Sequence, residues 1–124
     1  MKMNSINWFE IPARYLDKAA AFYEEVLAVR LRREMFGNEP HAIFPVDPDR
    51  KGVTGALVSS PRLVPGAGAI LYLDATDGVK ASLARALAAG AREIVPHTAI
   101  GENGYFAIIA DLEGNHVGLH SMLA

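Results

Sequence analysis

The chain has 124 residues, of which 51% are hydrophobic, and its 12 Lys and Arg nearly balance its 14 Asp and Glu. This length and hydrophobic content are enough for one compact domain with a core, but too small for two full-sized domains. The net charge of −2 and the lack of cysteine argue against a basic nucleic-acid-binding face, disulfide bonds and cysteine-ligated metals.

The first half of the chain predicts a strand, a helix and three further strands. Residues 6–11 alternate loosely as a strand, and Pro12 ends it because proline has no N–H for a ladder bond. Residues 15–28 repeat their apolar side chains at helical spacing, which predicts an amphipathic helix. The three weaker strands are predicted at residues 31–36, 41–46 and 53–59.

The second half repeats this order after a connector at residues 60–68, which is rich in proline and glycine. A second helix is predicted over residues 78–89, with Asp77 as its N-cap and Gly90 as a left-handed stop. Strands are predicted at residues 69–74, 92–95, 105–110 and 115–121, the last two joined by a hairpin turn at residues 113–115.

Two units with the order βαβββ therefore cover residues 1–60 and 69–124. Each unit alone buries too little apolar surface to be stable, so we expect the two to pack together. The expected fold is α+β, with tandem βαβββ units forming a curved mixed sheet around a concave cavity and the helices on the outer face. The concave face then has to meet the second sheet, a partner chain or a ligand.

Three stretches carry a family resemblance: residues 7–12 with 15–23, residues 71–74 with 87–91, and residues 104–107 with 111–119. They resemble the vicinal oxygen chelate superfamily, which includes glyoxalase I, bleomycin-resistance proteins and extradiol dioxygenases. Because they span nearly the whole chain, the resemblance implies a single domain of this fold over residues 1–124. It implies less about activity, since the members of this superfamily have unrelated functions on the same fold.

The resemblance also implies four places where superfamily enzymes carry metal ligands. In this chain they fall on Trp8, Ile70, Gly118 and the stretch Gly-Ala-Leu-Val at residues 55–58. None of these side chains can donate a lone pair to a cation at about 2.0–2.2 Å. No metal cofactor is therefore expected at these positions, and metal-dependent dioxygenase chemistry is not expected to carry over.

Side chains alternate along a strand, so residues with the parity of the lost ligands share the concave face. The opposite set packs against the helices and is purely apolar: Phe9, Ile11, Leu71, Leu73, Val117 and Leu119. The predicted ligand-binding residues are Trp8, Glu10, Ile70, Tyr72, His116, Gly118 and His120. Trp8 and Tyr72 would form a stacking platform for a flat or apolar molecule; alternatively, they only fill the space of a lost site.

Glu10, His116 and His120 are the candidate catalytic groups, because a carboxylate or imidazole can act as a general base near neutral pH. Positions i and i+4 of a strand lie about 13 Å apart, so the two histidines cannot hold one ion together. The alternative is that each histidine only lies at the polar rim of the sheet. We expect His41 and His97 at surface or loop positions.

A cluster of arginines at positions 30, 32 and 33 predicts a solvated edge strand or else a contact with an anionic ligand or partner. Three functions remain open. The first is a metal-free protein that captures a partly aromatic or apolar molecule. The second is a glyoxalase-type lyase or isomerase that uses Glu10 or a cavity histidine. The third is an accessory domain without its own ligand.

The expected partners are a small molecule and a second copy of the chain, because the resemblance to the bleomycin-resistance branch implies dimers that sequester a ligand. Whether the two units pack within one chain or swap between chains stays open. No apolar run is long enough for a transmembrane helix, and the N-terminus lacks an apolar signal core. We therefore expect a cytoplasmic protein that binds neither membrane nor nucleic acid.

Overall fold

The computed structural model describes residues 8–47, 49, 52–61, 63–66 and 68–124, and these contain the predicted βαβββ order twice. The first unit comprises β1 (Trp8–Pro12), α1 (Leu16–Leu27), β2 (Arg32–Phe36), β3 (Glu39–Ile43) and β4 (Thr54–Val58). The second comprises β5 (Leu71–Asp74), α2 (Val79–Ala88), β6 (Arg92–Ala99), β7 (Tyr105–Ala110) and β8 (His116–Ser121). Neither helix has the length and apolar content needed to span a bilayer.

The strands form two mixed four-stranded sheets with the same topology, β1-β4-β3-β2 and β5-β8-β7-β6. In each sheet the first and last strands of the unit are parallel neighbours, and the other neighbours are antiparallel. The expected α+β fold is confirmed. The curved surface consists of two sheets, because β1 and β5 are edge strands and no ladder joins them within the described residues.

The helices pack on the sheets and on each other, which joins the two units in one core. The apolar stripe of α1 is buried as its helical spacing predicts. The predicted strand alternation is also confirmed, because Ile11, Leu73, Val117 and Leu119 are all buried in this core. We call the opposite faces of the sheets their concave faces.

Both ends of α1 are held by residues of the second unit. At its start, the Glu113 carboxylate accepts the backbone N–H groups of Arg14 at 2.6 Å and Tyr15 at 2.9 Å. At its end, the Arg85 guanidinium donates to the carbonyl oxygens of Glu25 and Val26. Backbone groups at helix ends have no partner within the helix, so these contacts stabilise α1 and the junction together.

The start of α2 differs from the prediction. Asp77 does not cap the helix; Gly78 is the N-cap residue and no side chain caps it. Asp77 instead forms an ion pair with Arg85 at 2.8 Å, and the hydrogen bond from this guanidinium lowers the pKa of the carboxyl. At the other end, Gly90 follows the helix with a positive φ of 106°, as expected for a glycine stop.

Several strand boundaries also differ. The strand predicted at residues 41–46 begins and ends earlier, at Glu39–Ile43, so His41 is a buried strand residue and the expected surface or loop position was wrong. The strand predicted at residues 92–95 extends through Ala99, with pairing irregular around Pro96. His97 therefore lies in a strand, stacked on Tyr105 at 5.2 Å between ring centroids. The start of the first predicted strand, residues 6–7, lies outside the described residues.

Candidate functional site

Four side chains meet on the concave face of the first sheet, and we call them the Glu10 cluster: Trp8, Glu10, Phe36 and His41. The Trp8 indole N–H donates to Glu10 Oε2 at 3.3 Å, and the same oxygen lies 3.8 Å from His41 Nε2. The Phe36 ring contacts His41 edge-on, with centroids 4.6 Å apart. The cluster thus places a carboxylate and an imidazole between two aromatic rings.

The strand order explains why Glu10 reaches His41. β4 lies between β1 and β3, and the residue of β4 paired with Glu10 is Ala56, whose small side chain leaves room above the sheet. His41 is 5% exposed, and its Nδ1 lies 2.9 Å from the carbonyl oxygen of Glu39. Because a carbonyl only accepts, this contact assigns the proton to Nδ1 and leaves Nε2 as an acceptor in neutral His41.

On the second sheet, Tyr72 lies flat over Gly118. The two residues pair across β5 and β8, and a Cβ atom at position 118 would overlap the Tyr72 ring. Phe106 contacts the ring from the side at 6.2 Å between centroids, yet Tyr72 remains 53% exposed. The missing side chain at position 118 therefore seats an aromatic ring on the sheet while leaving much of the ring open.

The two histidines of β8 lie on either side of Gly118 along the same face. His120 Nε2 lies 2.7 Å from the carbonyl oxygen of Asn103, so it is engaged with a neighbouring loop. His116 is half-buried and lines a cavity with Glu10. Of the three candidate catalytic groups, the structure therefore brings Glu10 and His116 together and leaves His120 apart.

Three cavities contain five of the seven predicted ligand-binding residues, and Gly118 and His120 line none of these three. The largest, 630 Å³, lies beside β5 and is lined by Ile70 and Tyr72 together with Phe9. The second, 340 Å³, contains Glu10 and His116 beneath the connector. Because Leu71 and Phe9 line both, these two cavities lie along the gap between the edges of β1 and β5, which we call the seam.

The third cavity, 410 Å³, lies on the first sheet and is lined by Trp8, Phe36, Arg30 and Arg32 among others. We call it the Trp8 cavity. Trp8 and Tyr72, expected to share one platform, thus line different cavities.

Sequence reasoning missed His41 as a site residue. Its strand was predicted, but nothing in that segment identified which parity faces the helices, since both alternate sets are largely apolar. The signal that could have identified His41 is a single histidine in an otherwise apolar strand segment. It lies two residues after Glu39, which ends a short turn segment that contains a glycine.

A family model described as Glyoxalase/Bleomycin resistance protein/Dioxygenase superfamily matches residues 5–119. The chain belongs to this superfamily. No curated protein matches the chain.

Solved structures of the superfamily share the fold. A glyoxalase/bleomycin resistance protein from Streptomyces sp. CB03234 is 25% identical, with a TM-score of 0.70 over 92% of this chain and 97% of that one. An antibiotic binding protein from the same organism, TnmS3, is 26% identical, with a TM-score of 0.66 over 97% of each chain. The fosfomycin resistance protein FosX from Listeria monocytogenes is 14% identical, with a TM-score of 0.67 over 98% of this chain and 92% of that one.

The residues of this member do not fit the metal of the superfamily's enzymes. Trp8, Ile70, Gly118 and residues 55–58 offer no side-chain donor atom for such a cation. In the described ranges no three His, Asp or Glu side chains converge, and the Glu10–His41 contact supplies two groups.

Proposed function

We propose that this superfamily member captures a small, partly aromatic or apolar molecule on its concave sheet faces without using a metal. The observation that carries the proposal is the replacement of the superfamily's ligand positions by an indole, aliphatic side chains and a glycine. These replacements turn polar coordination positions into apolar contact surface suited to a flat ring.

The exposure of the aromatic residues supports this proposal. Trp8 is 39% exposed and Tyr72 53% exposed, although each lines a cavity. Covering about 100 Å² of such ring surface contributes about 2–3 kcal/mol of binding free energy. The residues of the second sheet that we propose as ligand contacts are Ile70, Tyr72, His116, Gly118 and His120.

The likeness to an antibiotic binding protein, at 26% identity over nearly the full length of both chains, also supports small-molecule capture. We carry over only the kind of function, a protein that holds a small organic molecule. We further propose that the binding form is a homodimer, because large apolar side chains such as Met35, Phe36 and Met122 are exposed in the single chain.

Trp8 provides a direct test because it is the only tryptophan in the chain. Its single indole N–H resonance reports ligand contact during titration with a neutral flat probe, naphthalene-2-carboxamide. We expect a saturable shift of this resonance. Trp8→Ala should abolish probe binding, measured by calorimetry, while the domain stays folded; Tyr15→Ala, an exposed position outside the three cavities, is the control.

Two results would contradict the proposal. One is the absence of any shift across a panel of flat aromatic probes. The other is a loss of about 3–5 kcal/mol in the free energy of unfolding of Trp8→Ala, which would make Trp8 a core residue instead of a contact surface.

A second candidate function, a glyoxalase-type lyase or isomerase, is favoured by one observation. Glu10 Oε2 lies 3.8 Å from His41 Nε2, so a proton acceptor with a fixed orientation lies beside a carboxylate. Turnover of a methylglyoxal–thiol adduct by metal-free protein, lost in both Glu10→Gln and His41→Gln, would establish this activity. Probe binding without turnover would leave capture as the function.

A further inference from the structure

We infer that the Trp8 cavity selects an aromatic molecule bearing an acidic group, and that Arg30 binds this group. The inference rests on the proposed binding function and names the ligand class. It follows from how the three arginines of the β2 region are distributed between the two faces of the first sheet, and from which of them already has an acidic partner.

Strand register separates the arginines. Arg32 pairs with Ile43 across β2 and β3, and both line the Trp8 cavity. Arg33, one residue further, turns to the helix face and pairs with Asp17 of α1 at 2.8 Å. Arg30 lies two residues before Arg32 and lines the cavity with it. Arg30 and Arg32 therefore line the Trp8 cavity, whereas Arg33 lies on the face of the sheet that packs against the helices.

The three arginines differ in whether a carboxylate pairs with their charge. The Arg32 guanidinium lies 2.6 Å from the Glu34 carboxylate on its own strand, and Arg33 is paired with Asp17. Arg30 makes no ion pair or hydrogen bond with any residue in the part of the chain that the structure describes. A guanidinium without a carboxylate at a cavity wall is suited to bind a carboxylate or similar acid of a ligand through two parallel hydrogen bonds.

The rest of the cavity specifies the other part of the ligand. Trp8 and Phe36 offer aromatic surface, and Ile43 and Val46 add aliphatic surface. The volume of 410 Å³ lies within the range of small-molecule sites, about 300–1,000 Å³. The Trp8 indole N–H already donates to Glu10 Oε2 at 3.3 Å, so the acid of a ligand has the arginine guanidinium as its donor instead.

Two matched probes test the inference: naphthalene-2-carboxylate and its neutral carboxamide, both titrated against the Trp8 indole resonance. We expect the carboxylate to bind about three- to fivefold more tightly at low ionic strength, as an ion pair with an exposed arginine allows. This preference should shrink as salt is added, because added ions screen exposed charges. Arg30→Met should remove the preference, so that the carboxylate and the carboxamide bind the variant equally well.

Arg33→Met is the matched control, since it removes the same charge from the opposite face. It should change neither dissociation constant, and thermal unfolding verifies that both variants are folded. Equal binding of the two probes, or an equal effect of the two variants, would overturn the acid selectivity while capture of flat molecules stands. If neither probe shifts the Trp8 resonance, the inference is wrong, and the proposed function is wrong as well if the other flat aromatic probes of the panel also give no shift.

Discussion

At the scale of single residues, Tyr23 is fully buried and carries a polar hydroxyl group into the core. Its hydroxyl donates to Asp111 Oδ2 at 2.8 Å, and the Asn115 amide donates to the same oxygen at 2.9 Å. Burial raises the pKa of Tyr23 well above the ordinary tyrosine value, and the negative charge of Asp111 adds to this effect. The folded protein therefore holds the Tyr23 hydroxyl in its neutral form.

Tyr23→Phe removes this donor and should lower the free energy of unfolding by about 1–3 kcal/mol, because the buried Asp111 carboxylate loses a hydrogen bond. Urea unfolding measures the loss. Tyr15→Phe is the control, because Tyr15 is exposed. A Tyr23→Phe protein as stable as the control would contradict the assigned role of the hydroxyl.

The raised pKa of Tyr23 also predicts a pH dependence. The stabilisation by its neutral form is complete below about pH 9, and it decreases as the pH rises through the pKa of unfolded tyrosine, about 10. The free energy of unfolding should therefore fall less in Tyr23→Phe than in the original protein between about pH 9 and about pH 11. Parallel curves for the two proteins would contradict this coupling.

How far single residues could be predicted depends on whether the signal was local. The helix-facing set, such as Leu73 and Leu119, followed from strand alternation because a buried apolar face repeats every second residue. The contact between Glu10 and His41 could not be predicted, because it depends on β4 lying between β1 and β3. That strand order depends on pairing between segments that are far apart in the sequence, so neither segment alone predicts it.

At the scale of elements, the contact between β5 and β8 depends on the glycine beneath Tyr72. Gly118→Ala adds a Cβ where the Tyr72 ring lies, so the ring has to move off the sheet. We expect a loss of about 1–3 kcal/mol in the free energy of unfolding. The loss should be smaller in a Tyr72→Ala background, because the ring that the new methyl group meets is then absent.

The control for this cycle is Gly68→Ala, since a Cβ at position 68 meets no atom within 4 Å. Chemical denaturation of the four proteins of the cycle measures the coupling. Additive effects of the changes at positions 72 and 118 would show that the ring does not rest on the glycine.

The start of α1 provides a second test at this scale. Glu113→Ala removes both carboxylate oxygens that accept the Arg14 and Tyr15 N–H groups, and should cost about 1–3 kcal/mol of stability. Glu113→Gln retains one acceptor oxygen and should lose less. An alanine variant no less stable than the glutamine variant in urea would contradict this capping role.

Element types and helix limits were predictable because they depend on short-range periodicity. The helix predicted at residues 15–28 is Leu16–Leu27, and the one predicted at residues 78–89 is Val79–Ala88. The length of β6 was not predictable, because the part of this strand after Pro96 is held by pairing with β7. The role of Asp77 was likewise missed, since an ion pair eight residues away competes with helix capping.

At the scale of the whole molecule, exposed apolar side chains predict self-association. We expect sedimentation velocity to show a dimer at micromolar concentration, because the exposed set includes Met35, Phe36, Met122 and Leu123. Met122→Ser should weaken the dimer, because it removes exposed apolar surface that a second copy would cover. A clean monomer for the unmodified protein would contradict the homodimer.

The two units remain connected through α1, α2 and a few polar bonds, while no strand ladder crosses the seam in the described parts of β1 and β5. Substitutions of side chains along the seam therefore break no strand–strand hydrogen bond. Both seam cavities are lined by Phe9 of β1 and Leu71 of β5, so such substitutions change the size of these cavities. This architecture can therefore be adapted to new compounds by substitutions at the joint alone, with its strand pairing unchanged.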